Sequence, residues 1–151
     1  MCILAIQYKL VPEAPILVAM NREERYDRPT AVPSIQSGKP RILCGIDQQA
    51  GGTWLGVNQH GLLVAACNRP RHLMGVPTRS RGLLCRDMLR AGSARQAMDL
   101  AMEELSTNKY DGVNLVCADA ESGWVVHGGD ELEVSKLEEG LSIVCSGDVN
   151  D

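Results

Sequence analysis

The sequence predicts an α+β fold in which helices are layered on largely antiparallel sheets. Short apolar runs rich in Val, Ile and Leu alternate with turns that carry Gly or Pro, the pattern of hairpins. Between Ser80 and Leu105 the apolar spacing changes to that of helices. The resulting order is strands, two helices, strands, rather than a strict alternation of the two, which points to segregated layers.

Residues 2–8 and 15–21 read as two strands joined by the turn Pro12-Glu13-Ala14-Pro15, giving a first hairpin. Cys2, Leu4 and Ile6 lie on one face of the first strand and Ile3 and Ala5 on the other, so both faces are expected to be covered. Residues 28–40 hold Pro29, Pro33 and Pro40 and read as an irregular loop. Residues 53–58 and 61–68 form a second hairpin through Gln59-His60, helped by Gly61. A second loop, 69–81, carries Pro70 and Pro77.

Ser80 is placed to cap the first helix, whose apolar stripe is Leu84, Cys85, Met88 and Leu89. Ser93 opens the second with Gln96 three residues on, a capping box. Ala94, Ala97, Met98, Ala101, Met102 and Leu105 then recur at helical spacing, with the methionines as core filler. Residues 112–119, 124–128, 132–137 and 141–145 complete the chain as strands.

The 151 residues suit a single domain, with no repeat or linker. Phe is absent, so Leu, Ile, Val, Met and Ala must fill the core. A formal net charge of −4 argues against a nucleic-acid partner. No apolar run is long enough for a transmembrane segment, and the N-terminus lacks a basic leader, so a cytoplasmic protein is expected.

The six cysteines, Cys2, Cys44, Cys67, Cys85, Cys117 and Cys145, show neither C-x-x-C pairs nor zinc-finger spacing with His. They are expected as free thiols, mostly buried, with no metal bound. The pair Gly51-Gly52 before Thr53 lacks the Gly-Lys-Ser/Thr ending of a phosphate loop and reads as a tight turn or a close backbone approach. No cofactor is expected.

Cys2 is the sharpest candidate for chemistry. Removal of Met1 would leave a residue with both a thiol and an α-amine, whose reference pKa of about 7.7–8.0 allows it to take a proton near neutral pH. That is a self-contained nucleophile and base. The alternative is a cysteine that merely opens a buried strand. The run Asn21-Arg22-Glu23-Glu24 ends the second strand and can face Cys2. There, Arg22 would favour the thiolate or hold a carboxylate, and Asn21 would donate to an oxyanion. Arg69, Arg71, Arg79 and Arg81 lie in one loop with His72, either as an anion-binding patch or as a solvated surface.

Several segments in order resemble the NRDE family, the transport and Golgi organisation 2-like group. They are Met1-Cys2, Ala19-Met20-Asn21-Arg22-Glu23-Glu24, Arg28-Pro29-Thr30, the run from Ala50 through Gly56, Cys67-Asn68-Arg69 and Ser80-Arg81-Gly82. Glu23 stands where the family name spells Asp, one methylene longer. The resemblance implies an N-terminal-nucleophile (Ntn) hydrolase-like fold of αββα layers, of which this chain would be the N-terminal portion. It also implies Cys2 as nucleophile, flanked by Arg22 and Glu23, with Asn68 in the oxyanion hole. Asn150 is a weaker second polar site residue. Trp54, Arg69 and Arg71 are expected to bind substrate. Two functions follow: a cysteine Ntn amidohydrolase acting on a small amide, or a non-catalytic carrier of a hydrophobic ligand such as a lipid or haem, with His72 a possible haem ligand.

Overall fold

The computed structural model describes residues 2–72, 77–107 and 109–151. Met1, whose removal the sequence reading requires, and the middle of the 69–81 loop lie outside the described residues. Among them the order is β1 (Ile3–Val11), β2 (Ala14–Asn21), β3 (Thr30–Gln36), β4 (Ile42–Asp47), β5 (Leu55–Asn58), β6 (Leu63–Asn68), α1 (Arg81–Met88), α2 (Ala94–Leu105), β7 (Val113–Ala118), β8 (Gly123–Gly128), β9 (Leu132–Lys136) and β10 (Gly140–Val144). β3 to β9 form one sheet in sequential order, and β1 sits between β10 and β2 in a smaller one. Every strand pair is antiparallel.

Two cores separate three layers. Leu84, Cys85 and Met88 of α1 and Ala97, Met98 and Ala101 of α2 pack on Val64, Leu115 and Cys117 of the large sheet. On that sheet's other face, Ala65, Cys67, Val116 and Val125 meet Leu4, Ile6, Tyr8 and Val144 of the small sheet. β7 is therefore buried on both faces along its whole length, which accounts for its unbroken apolar run.

β1 differs from expectation. Leu4, Ile6 and Tyr8 are buried, but Ile3 is 47% exposed, as are Leu17 at 59% and Leu141 at 65% on the same outer face. Among the described residues only the inner face of the small sheet is covered. The helices thus form a single layer, and the arrangement is α–β–β.

The region 28–40 is also not an irregular loop, since most of it is β3. An edge strand leaves half its N–H groups unpaired, so Pro33 is tolerated there, beside a register shift between Ala31 and Ser34. Its partner β4 was not foreseen. The helix caps behave as read: Ser80 Oγ accepts from Gly82 N at 3.2 Å and Ser93 Oγ from Gln96 N at 3.3 Å. Gln96 Oε1 accepts from Gly92 N at 2.9 Å, one residue before the position a capping box would use. No described helix is long and apolar enough to cross a membrane.

Candidate active site

Cys2 lies at one end of the two-sheet sandwich, just before β1, with only 6% of its surface exposed. The antiparallel register brings the end of β2 alongside it, and Glu23 N–H donates to its Sγ at 3.4 Å. The thiol in turn lies 3.6 Å from Glu23 O. Position 23 thus meets the sulfur through its main chain, so the extra methylene of Glu over Asp leaves that contact unchanged.

A cleft of about 80 Å³ opens beside the sulfur. Of the residues singled out from sequence, Cys2, Arg22, Glu23, Trp54 and Asn68 line it. The Arg22 guanidinium lies over the Trp54 ring at 4.4 Å, and its Nη2 is 3.6 Å from Glu24 Oε2. Trp54 fits because residue 45 is glycine: a β-carbon there would lie 2.7 Å from the indole.

Asn21 is not brought in. It pairs with Ile3 across the sheet, so strand alternation turns its side chain to the exposed outer face, away from Cys2. Asn150 is also outside the cleft. Its backbone N–H donates to Ile143 O and its Oδ1 accepts from Ile143 N, both at 2.8 Å, continuing the edge of β10.

Arg69 and Arg71 line an adjoining depression that shares Asn68 and Arg81 with the first cleft. Arg69 clamps the turn after β10: Nη1 donates to Gly147 O at 2.9 Å and Nη2 pairs with Asp148 at 2.8 Å. Arg71 Nη1 donates to Tyr110 O at 2.9 Å. Arg79 pairs with Asp87 and Glu104, and Arg81 with Asp111, so acids from distant elements offset much of the basic loop. His72 lies beside Asp130, with Nδ1 3.0 Å from its carboxylate.

Asp47, which lines the cleft, escaped the sequence reading. Asp47, at the end of β4, is held by Arg28 through bonds of 3.1 and 2.6 Å, and Arg28 reaches on to Glu24 at 3.5 Å. Arg28 and Asp47 stand nineteen residues apart, and a missed β4 hides the pairing. The first turn of α1 enters the cleft because Gly52 and Gly82 touch backbone to backbone, with Thr53 N–H donating to Gly82 O at 2.9 Å. This is the close approach the glycines suggested.

Burial pushes the Cys2 thiol above its ordinary value and Glu24 adds to the rise, against a smaller downward pull from Arg22 and Arg81. Cys67, deeper in the inter-sheet core, is pushed up to about 12 by burial. All six cysteines are free thiols, five of them buried.

This α+β sandwich of antiparallel sheets is Ntn-hydrolase-like in fold. Crystal structures of variants of the conjugated bile acid hydrolase from Clostridium perfringens superpose with a TM-score of 0.61 over 98% of this chain and 54% of that one, at 14% sequence identity. At that identity the match is one of fold.

The chain belongs to the transport and Golgi organisation 2 family, whose model matches residues 1–150. It is 30% identical over 128 residues to the mouse transport and Golgi organization 2 homolog and 29% identical over 126 residues to the human one. Each alignment covers 79% of this chain and 45% of the relative, so the chain spans about half their length.

Proposed function

We propose that this chain carries the nucleophile of a cysteine Ntn amidohydrolase acting on a small amide. The observation that supports it is the setting of Cys2: a sulfur that receives the Glu23 N–H, in a cleft shared with Arg22 and Asn68. Once Met1 is removed, the Cys2 α-amine takes the thiol proton. Sγ then attacks the amide carbonyl carbon, and the Asn68 side-chain amide donates to the oxyanion. The C–N bond breaks, the departing amine receives the proton from the α-ammonium, and a thioester remains. Water, losing its proton to the same amine, hydrolyses that thioester and restores the thiol.

Trp54 forms one wall of the cleft. Arg69 and Arg71, in the adjoining depression, suit an anionic group on the substrate. A solved neighbour of this fold is named as a conjugated bile acid hydrolase, which favours the hydrolytic reading. A carrier of lipid or haem asks for a large apolar cavity. The cleft at Cys2 is small and ringed by Arg22, Glu24, Arg28 and Asp47. A cytoplasmic setting, which keeps thiols reduced, agrees with the free cysteines.

The test uses Met1-processed protein, verified by intact mass, and a panel of N-acyl amides with neutral and anionic amine portions. Cys2→Ala abolishes hydrolysis and leaves the fold intact. Cys67→Ala, which alters a thiol held protonated in the core, retains hydrolysis. Asn68→Ala lowers the rate by about 10²–10³. Full activity in Cys2→Ala, or equal loss in both cysteine variants, refutes the mechanism.

A further inference from the structure

Asp47 sits at one end of a row of alternating charges whose other end is beside the thiol. Arg28 donates to both of its carboxylate oxygens. Arg28 Nη1 lies 3.5 Å from Glu24 Oε2, and the same oxygen lies 3.6 Å from Arg22 Nη2. The Arg22 guanidinium rests over Trp54. The acid is itself held in place. Gln49 N–H donates to its Oδ1 at 3.1 Å, Gln48 N–H donates to Pro29 O at 3.0 Å, and Thr30 pairs with Asp47 across the sheet.

The links differ in strength. The two contacts of Glu24 are long and partly exposed, and contacts of that kind are weak when isolated. The Arg28–Asp47 pair is two-pronged and short, and only 8% of the Asp47 side chain is exposed. It is the anchor of the row. Without it Arg28 can turn to solvent, the charge of Glu24 is no longer offset, and Glu24 draws on Arg22.

The charged side chains acting on the sulfur are Arg22 and Glu24 from its own end of the small sheet and Arg81 from α1, with Cys67 of β6 a neutral thiol in the same core. Of these, the balance between Arg22 and Glu24 is the one that Arg28 adjusts.

We propose that Asp47 is a positioning residue for the Cys2 nucleophile: through Arg28 it offsets Glu24 and leaves Arg22 to favour the thiolate. The proposal rests on reading Cys2 as the nucleophile. Its sign is informative. Deleting a negative charge near a thiol by itself favours the thiolate. Loss of positioning has the opposite effect, because it frees Glu24 to act.

The experiment is the pH dependence of Cys2 alkylation by iodoacetamide, followed by mass spectrometry of the Cys2 peptide in Met1-processed protein. It needs no substrate, so it separates this proposal from failure of the hydrolytic reading. Asp47→Asn is expected to slow alkylation at pH 7 by about 3- to 10-fold and move the profile to higher pH. Glu24→Gln is expected to move it to lower pH. In a Glu24→Gln background, Asp47→Asn is expected to change the rate by less than about twofold, because the group it controls is gone. Urea midpoints and circular dichroism confirm folding. Should Asp47→Asn fail to fold, Arg28→Lys replaces it, keeping the charge but losing the two-pronged bond, with a smaller slowing in the same direction. An unchanged or accelerated rate in a folded variant, or an equal slowing in the Glu24→Gln background, overturns the proposal.

Discussion

Gly52→Ala tests the contact that brings α1 to the cleft. A β-carbon at position 52 would lie 2.2 Å from the Gly82 carbonyl carbon, 2.5 Å from Leu83 N and 2.6 Å from Gly82 O. All three are backbone atoms, so no side chain can rotate to relieve the clash. The two segments must part by about 1 Å to regain ordinary contact. Parting them breaks the Thr53–Gly82 hydrogen bond and withdraws Ser80 and Arg81 from the cleft. Overpacking typically costs about 1–3 kcal/mol and the lost bond about 1 kcal/mol more. The variant is therefore expected to lose about 2–4 kcal/mol, a fall in Tm of about 5–15 °C for a domain of this size. Urea titration and calorimetry give the stability, and iodoacetamide alkylation of Cys2 reports the cleft. A loss below about 0.5 kcal/mol with unchanged alkylation would refute the argument that this backbone contact fixes α1.

Asn58 offers a second stability test. Its Nδ2 donates to Leu89 O at 3.0 Å and Ala91 O at 2.8 Å, and its Oδ1 accepts from His60 N at 2.9 Å and Leu62 N at 3.2 Å. Asn58→Ala strands buried backbone groups at the junction of the β5–β6 turn with the end of α1, and should cost about 3 kcal/mol in a urea titration. Asp47 also sets an acid limit. Its hydrogen bonds from Arg28 hold its carboxyl below the usual range against an opposing push from burial. A folded pKa below the unfolded one gives stability that is fully present above the unfolded value and lost as pH falls through the folded one. The urea midpoint of the wild type should therefore fall on acidification below about pH 4, and fall less in Asp47→Asn.

The strongly periodic elements were legible in the sequence. The stripe of α2, the Ser80 and Ser93 caps and the apolar strands β6 to β8 each carry a local signal that the tertiary structure reinforces. β3 was not legible, because prolines argue for a loop unless the strand is known to lie at an edge, and β4 was missed with it. The exposure of Ile3 was equally hidden: an apolar residue records what a strand can bury, while the layers present decide what it does bury.

The same division runs through the site. The sequence by itself marked Cys2, Arg22, Glu23, Trp54 and Asn68, because residue type and family-like spacing are legible whatever the fold. Only the tertiary structure excluded Asn21, since a strand's period of two makes face depend on register, and register is fixed by pairing with Ile3. It alone showed the Glu23 main chain in contact with the sulfur. It also joined Asp47 to Arg28: an ion pair is selected by distance in space, and two antiparallel strands bring together charges nineteen residues apart along the chain.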